Sequence, residues 1–241
     1  PLLVRGVHLV PMTDERVVES ASVLIRDGRI AAIGHEGELS PPPGARVIDG
    51  GGRYLLPGLV EMHIHLRKRI DLDLLLGHGV TFARNMDGTD QVLAWRDAIA
   101  EGELLGPHLT SSSPFLHRHA EDAPARYVGS VEDARRLTDT YVARGYDYIK
   151  IAELDDEPFY ALMDAARRHG IPVVGHIPNY ELDLERILGQ GMASIEHLEE
   201  LFRVYFDYRP DAARIPEFVE LVRRSGVPIS TLIASERIKN D

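Results

Sequence analysis

Hydrophobic and polar positions divide this chain of 241 residues into two regimes. Over residues 1–56 short apolar runs alternate with polar residues, as in LLVRGVHLV, SASVLIRDGRIAAIG and GARVIDGGGRYLL. A period of two is the mark of a half-buried strand, because successive side chains point to opposite faces. TDE, RDGR and the SPPPG stretch at 40–44 supply turn residues between the runs. No segment here has a helical period, so residues 1–57 are expected to form a small antiparallel β unit.

From residue 58 onward the rhythm becomes strand, loop, helix, repeated. Strand-like runs fall at 59–66, 80–86, 108–113, 147–154, 171–177, 193–198 and 227–233. Amphipathic stretches at 71–78, 90–101, 131–144, 157–169, 181–190 and 213–225 separate them. Gly79, Gly145, Gly170, Gly191 and Gly226 stand where helices stop. Seven such β/α units predict an α/β fold with a parallel sheet. A doubly wound sheet and a (β/α)8 TIM-type barrel both fit the alternation. Two features favour the barrel over residues 58–241. No glycine-rich phosphate loop follows the first strand, and polar residues recur at the C-terminal ends of several strands, where barrels build their sites.

Apolar residues make up 44% and charged residues 27% of the chain, and the net charge is −11. That acidity excludes nucleic acid and anionic membrane surfaces as expected partners, since both are held by surplus Lys and Arg. With no cysteine, neither a disulfide framework nor a thiolate-held metal is available. No apolar run is long enough to span a bilayer and no signal-peptide pattern is visible, so a cytoplasmic location is expected. A small-molecule substrate is the expected partner; self-association into a homo-oligomer is left open.

Candidate chemistry begins at His63 and His65, two apart in a strand run. Both therefore face the same way, and two neutral imidazoles on one face can grip a divalent ion at about 2.0–2.1 Å. Taken alone, the pair also fits two solvated histidines at a strand edge. Lys150, flanked by apolar residues in YIKIA, would be costly as a buried ammonium, and burial favours its neutral amine. A neutral amine can add carbon dioxide to give a carbamate whose two oxygens bridge two cations; snorkelling to the strand end is the alternative. His176 ends VVGH and His197 ends SIEH, each just before a loop. Glu196, by alternation, faces away from His197 and suits packing or a salt link.

HxH, then Lys, then His, then His, each closing a successive strand, resembles the amidohydrolase superfamily. The resemblance rests on LLPGLVEMHIHL, GVTFARNM, YIKI, GIPVVGHIP and GMASIEHLEE, and covers essentially the whole chain. Within the superfamily the strings look closest to imidazolonepropionase-like proteins and Xaa-Pro or Xaa-Arg dipeptidases. The resemblance implies a barrel preceded by part of a small β-sandwich at 1–57. It implies two divalent metal ions, zinc first among the candidates. His63 and His65 would hold one ion, His176 and His197 the other, and carboxylated Lys150 would bridge them. The implied reaction is cleavage of an amide carbon–nitrogen bond in a dipeptide, N-acyl amino acid or cyclic amide by a metal-activated hydroxide. A lactonase- or phosphotriesterase-like esterase, or a non-catalytic member, is the alternative. The family's strand-eight aspartate has no counterpart here, so a barrel truncated ahead of strand eight is expected and no catalytic acid or base is assigned.

LHRHA holds a second HxH, His117 and His119, in a loop context at the expected mouth. With Arg84 at the end of the second strand run, these are candidate substrate contacts. The aromatic stretch at 201–210 either walls a pocket or covers a helix.

Overall fold

The computed structural model describes residues 1–119, 123–207, 209 and 211–231. The chain divides into two compact units, Pro1–Leu59 and Val60–Asp241.

The first unit is a five-stranded sheet. Strands β1 (Leu2–Leu9), β2 (Val18–Arg26), β3 (Arg29–His35) and β4 (Arg46–Asp49) take the order β3-β2-β1-β4, and β5 (Tyr54–Leu55) also pairs with β1. The β1–β2 and β2–β3 pairs are antiparallel, but β4 and β5 run parallel to β1. The expected antiparallel unit is thus mixed, because the connection through 36–45 is long enough to return the chain to the start of β1. Val4, Val7, Leu9, Ala21 and Val23 form its small core.

The second unit alternates strands and helices: β6 (Leu59–Ile64), α1 (Arg69–Gly77), β7 (Val80–Asn85), α2 (Asp90–Ala100), β8 (His108–Ser111), α3 (Val131–Ala143), β9 (Ile149–Ile151), α4 (Asp156–His169), β10 (Val173–Gly175), α5 (Leu184–Leu188), β11 (Ser194–Glu196), α6 (Leu198–Phe206), α7 (Ile215–Ser225) and β12 (Ile229–Ser230). It is α/β with parallel sheets. One has the order β12-β11-β10-β9, all parallel, and the other the order β6-β7-β8, with β7 and β8 parallel. Parallel bridges Ser112↔Tyr148 and Leu116↔Ile151 join the segment after β8 to the β9 region. Among the described residues no pairing closes β12 onto β6, so the expected α/β fold with parallel strands is present and a closed barrel is not seen.

Strands are shorter than the apolar runs predicted, because the run ends fold into the loops at the mouth. The final run extended to 233, and its residues 232–233 lie outside the described residues. Of the aromatic stretch, residues 201–206 form part of α6 and residues 208 and 210 lie outside the described residues. Leu201, Phe202, Tyr205 and Phe206 share one stripe of α6, and the Phe202 ring lies 5.2 Å from that of Phe218 on α7.

Strands β9, β10 and β11 are buried on both faces, as parallel strands under helical crossovers must be. Ile149 and Ile151 join the core formed with Leu137 and Tyr141 of α3 and Phe159 and Leu162 of α4. Alternation therefore turns Lys150, only 1% exposed, to the opposite, interior face. Among the described residues no helix is long and apolar enough to cross a membrane.

Candidate functional site

Four histidines and Lys150, from four strands, come together at the C-terminal strand ends. His63 and His65 project from one side of β6 as their spacing requires, with Nε2 atoms 3.3 Å apart and rings stacked. Lys150 Nζ lies 3.4 Å from His63 Nε2. The His197 ring centroid is 5.1 Å from that of His63 and 4.6 Å from that of His176. His63 is thus the hub, touching a partner from β6, β9 and β11.

Two glycine-like backbone steps make this convergence possible. Gly175, with φ +135°, ends β10; a Cβ there would meet the carbonyl oxygen of Ile151 at 2.1 Å. His176 then donates its backbone N–H to that carbonyl at 3.0 Å, which sets its direction. His197 has φ +71°, unusual for a side chain of its size. Its left-handed turn interrupts the strand alternation, so Glu196 and His197 both reach the cluster. The expectation that Glu196 faces away is corrected by this turn, although its role as a salt link holds.

Glu196 is wholly buried. Its Oε2 lies 2.9 Å from His63 Nδ1, and its Oε1 accepts from Arg84 Nη2 and from Ser194 Oγ, both at 2.6 Å. Burial alone would raise its carboxyl, but the His63 and Ser194 hydrogen bonds and the Arg84 charge outweigh that and bring it to about 2. Arg84, a candidate substrate contact in the sequence, has its guanidinium engaged by protein groups. It is buried, with Nε donating to the Met62 carbonyl at 2.7 Å and Nη1 to Ser194 at 3.0 Å, so its guanidinium holds the interior together.

Burial lowers His65 and His197 to about 4 each, helped by neighbouring positive groups. Burial lowers His63 as well, opposed by its hydrogen bond to Glu196. Lys150 falls from 10.5 to about 8, again chiefly through burial, with Glu196 and Asp87 acting to raise it. Near neutrality these groups form a set of uncharged imidazoles beside an amine that loses its proton readily.

The donor chemistry fits divalent cations. Two nitrogens bound to one tetrahedral ion at about 2.0–2.1 Å sit about 3.3 Å apart, which is the His63–His65 separation. Among the described residues, however, no three His, Asp or Glu side chains close around a single point. The expected ligands lie as two histidine pairs, His63 with His65 and His176 with His197, with Lys150 beside His63. A protonated Lys150 cannot ligate a cation, and the rings contact one another.

The second HxH is drawn to the mouth by backbone pairing. His117 N–H donates to the Arg126 carbonyl at 2.9 Å, and Arg118 N–H to that of Glu153 at 2.8 Å. The His119 ring lies 3.4 Å from Glu153. Sequence reasoning missed Asp87, a buried carboxylate after β7 gripped by Arg67 and Arg126 at 2.9 Å each. It also missed Glu200, whose carboxylate lies 2.5 Å from His176 Nδ1. The only signal for Glu200 was its place three residues after His197, one turn into a helix.

Comparison with known proteins adds three likenesses. The chain is 27% identical to the 5-methylthioadenosine/S-adenosylhomocysteine deaminase of Syntrophobacter fumaroxidans over 238 residues, covering 83% of this chain and 54% of that protein. It is 24% identical to adenine deaminase 2 of Shouchella clausii over 208 residues, covering 80% and 36%. The chain thus spans about half, or less, of the length of these curated relatives. In fold it resembles the crystal structure of a Xaa-Pro dipeptidase with bound methionine in the active site, at a TM-score of 0.72 and 20% identity, covering 95% of this chain and 66% of that one. The model of the amidohydrolase family matches residues 54–241, the whole stretch that carries the histidines and Lys150, and the chain belongs to that family.

Proposed function

We propose that this protein is a metal-dependent hydrolase cleaving an amide carbon–nitrogen bond in a dipeptide, an N-acyl amino acid or a cyclic amide. The observation that carries the reading is the His63–His65 pair at ion-spanning distance, with His63 backed by buried Glu196 and faced by Lys150. In this reading residues 1–57 belong to a small β-sandwich and 58–241 to a (β/α)8 barrel.

His63 and His65 would hold one divalent ion and His176 and His197 a second, with Lys150, once carboxylated, as their shared ligand; zinc suits this imidazole and carboxylate set. Bound ions of this kind supply Lewis acidity and bring the pKa of water towards ~7. The chain's own part is to present uncharged imidazoles, to keep His63 oriented through Glu196, and to hold Lys150 where its amine is readily neutral. At the strand ends, Arg67 and Arg126 share the single carboxylate of Asp87, leaving one positive charge in excess among these three. Arg118, shared between Glu153 and Asp155, offsets that excess, and the His117 and His119 loop is a further substrate contact.

A second reading, hydrolytic deamination of a purine-like base, is favoured by the likeness to the deaminases. It breaks the same bond type but releases ammonia. The test is metal analysis of the full-length protein, with turnover measured on acyl-amino acids, dipeptides, cyclic amides and adenine nucleosides. Metal retention with amide turnover is expected. Ammonia release from the nucleosides alone supports the second reading, and absence of bound metal after reconstitution, with no turnover, overturns both.

A further inference from the structure

Two carboxylates back histidine rings in this cluster, and both come from one five-residue stretch. Glu196, the last residue of β11, meets His63 Nδ1 across 133 positions of sequence. Glu200, in the first turn of α6, places Oε1 against His176 Nδ1 while its Oε2 accepts the Ile177 N–H at 2.8 Å. His197 stands between them, and its carbonyl receives the Glu200 N–H at 3.0 Å.

We propose that the stretch from Glu196 to Glu200 is the positioning element for two rings of the cluster, Glu196 fixing the tautomer of His63 and Glu200 that of His176. The consequence for metal binding rests on the function proposed above; the tautomers themselves do not.

An ionised carboxylate only accepts hydrogen bonds, so an uncharged imidazole facing it carries its hydrogen on Nδ1 and leaves Nε2 bare. The bare Nε2 of His63 looks towards His65 and Lys150. Such a backing carboxylate orients a metal-binding histidine and raises its basicity. The left-handed step at His197 is what lets one short stretch serve three rings. It frees Glu196 from facing away from the cluster and starts the helix that carries Glu200 beneath His176.

The remaining partners of each carboxylate make the arrangement testable by a small change. In Glu196→Gln, Arg84 and Ser194 require an acceptor at the Oε1 position. The amide nitrogen is then left facing His63 Nδ1. In Glu200→Gln, the Ile177 N–H imposes the same orientation, leaving the nitrogen against His176. Each amide therefore forces its histidine into the Nε2–H form.

The experiment is histidine-selective 15N spectroscopy of the full-length, metal-free protein, followed by zinc titration against a competing chelator. The unmodified protein should show His63 and His176 as Nδ1–H tautomers. Glu196→Gln should invert His63 alone and Glu200→Gln His176 alone, each weakening zinc binding about 10–100-fold. Nε2–H tautomers in the unmodified protein, or variants that lower Tm without changing either tautomer, would overturn the inference. Inverted tautomers in a protein with no zinc affinity at all would uphold the positioning role and refute the metal reading instead.

Discussion

Lys150 owes its chemistry to its two isoleucine neighbours. Ile149 and Ile151 are held by the helical layer, so the amine between them has no route to water along that side. Burial brings it to about 8, where a useful neutral fraction exists near pH 7. Replacing Lys150 with Ala should leave the strand folded but reduce bound divalent metal by about one ion per chain, with activity falling at least ~10²-fold. Full metal content by elemental analysis would refute the bridging role. Gly175 is constrained in a different way, by contact with the neighbouring strand. Gly175→Ala places a Cβ against the Ile151 backbone at a φ that side chains avoid, so a loss of about 3 kcal/mol is expected in denaturant melts. Stability unchanged within about 0.5 kcal/mol would show that β9 yields easily at this point.

Helix starts carry the clearest local energetics. Asp71 Oδ2 accepts the backbone N–H groups of Arg67 and Lys68 at 2.9 and 2.8 Å, closing the turn that leads from β6 into α1. Those two bonds hold its carboxyl below the usual 3.8. A depressed carboxylate contributes stability that is present above its unfolded value and lost as pH falls through its folded one. Asp71→Asn should therefore cost about 0.5–1 kcal/mol near pH 7, and the difference from the parent should shrink as pH falls below the usual carboxylate range. An equal difference at both pH values would mean that packing, not the charge, is responsible. Within the helical layer, Phe159 on α4 is fully buried, and Phe159→Ala should cost about 3–5 kcal/mol in the same assay.

For the second unit as a whole, strand ends that were distant in sequence share one centre, so a ligand held there ties them together. Divalent metal bound only to the folded state raises its stability by RT ln(1 + [L]/Kd), about 1.4 kcal/mol for each tenfold rise in free metal above Kd. Adding zinc to metal-free protein should raise Tm progressively, and a chelator should reverse it. A Tm independent of zinc over a thousandfold range would count against the proposed centre.

Much of the cluster was legible in the order of residues because it follows from two local rules. Alternation puts His63 and His65 on one face and Lys150 opposite Ile149 and Ile151, and the ends of apolar runs mark where His176 and His197 stand. The parallel α/β rhythm was legible for the same reason. The partners of Glu196, Glu200, Arg84 and Asp87 were not legible because they lie far along the chain. Arg84 finds Glu196 112 positions away, and Glu196 finds His63 133 positions away. No local pattern encodes such pairs. The left-handed turn at His197 likewise has no signature, since histidine carries no glycine-like freedom to announce it. Sequence alone therefore determined which strands bear the imidazoles and the amine, because side-chain period is a property of the local backbone. Tertiary structure alone decided that a carboxylate stands behind the His63 and His176 rings, because Glu196 and Glu200 are brought to them from elsewhere in the chain.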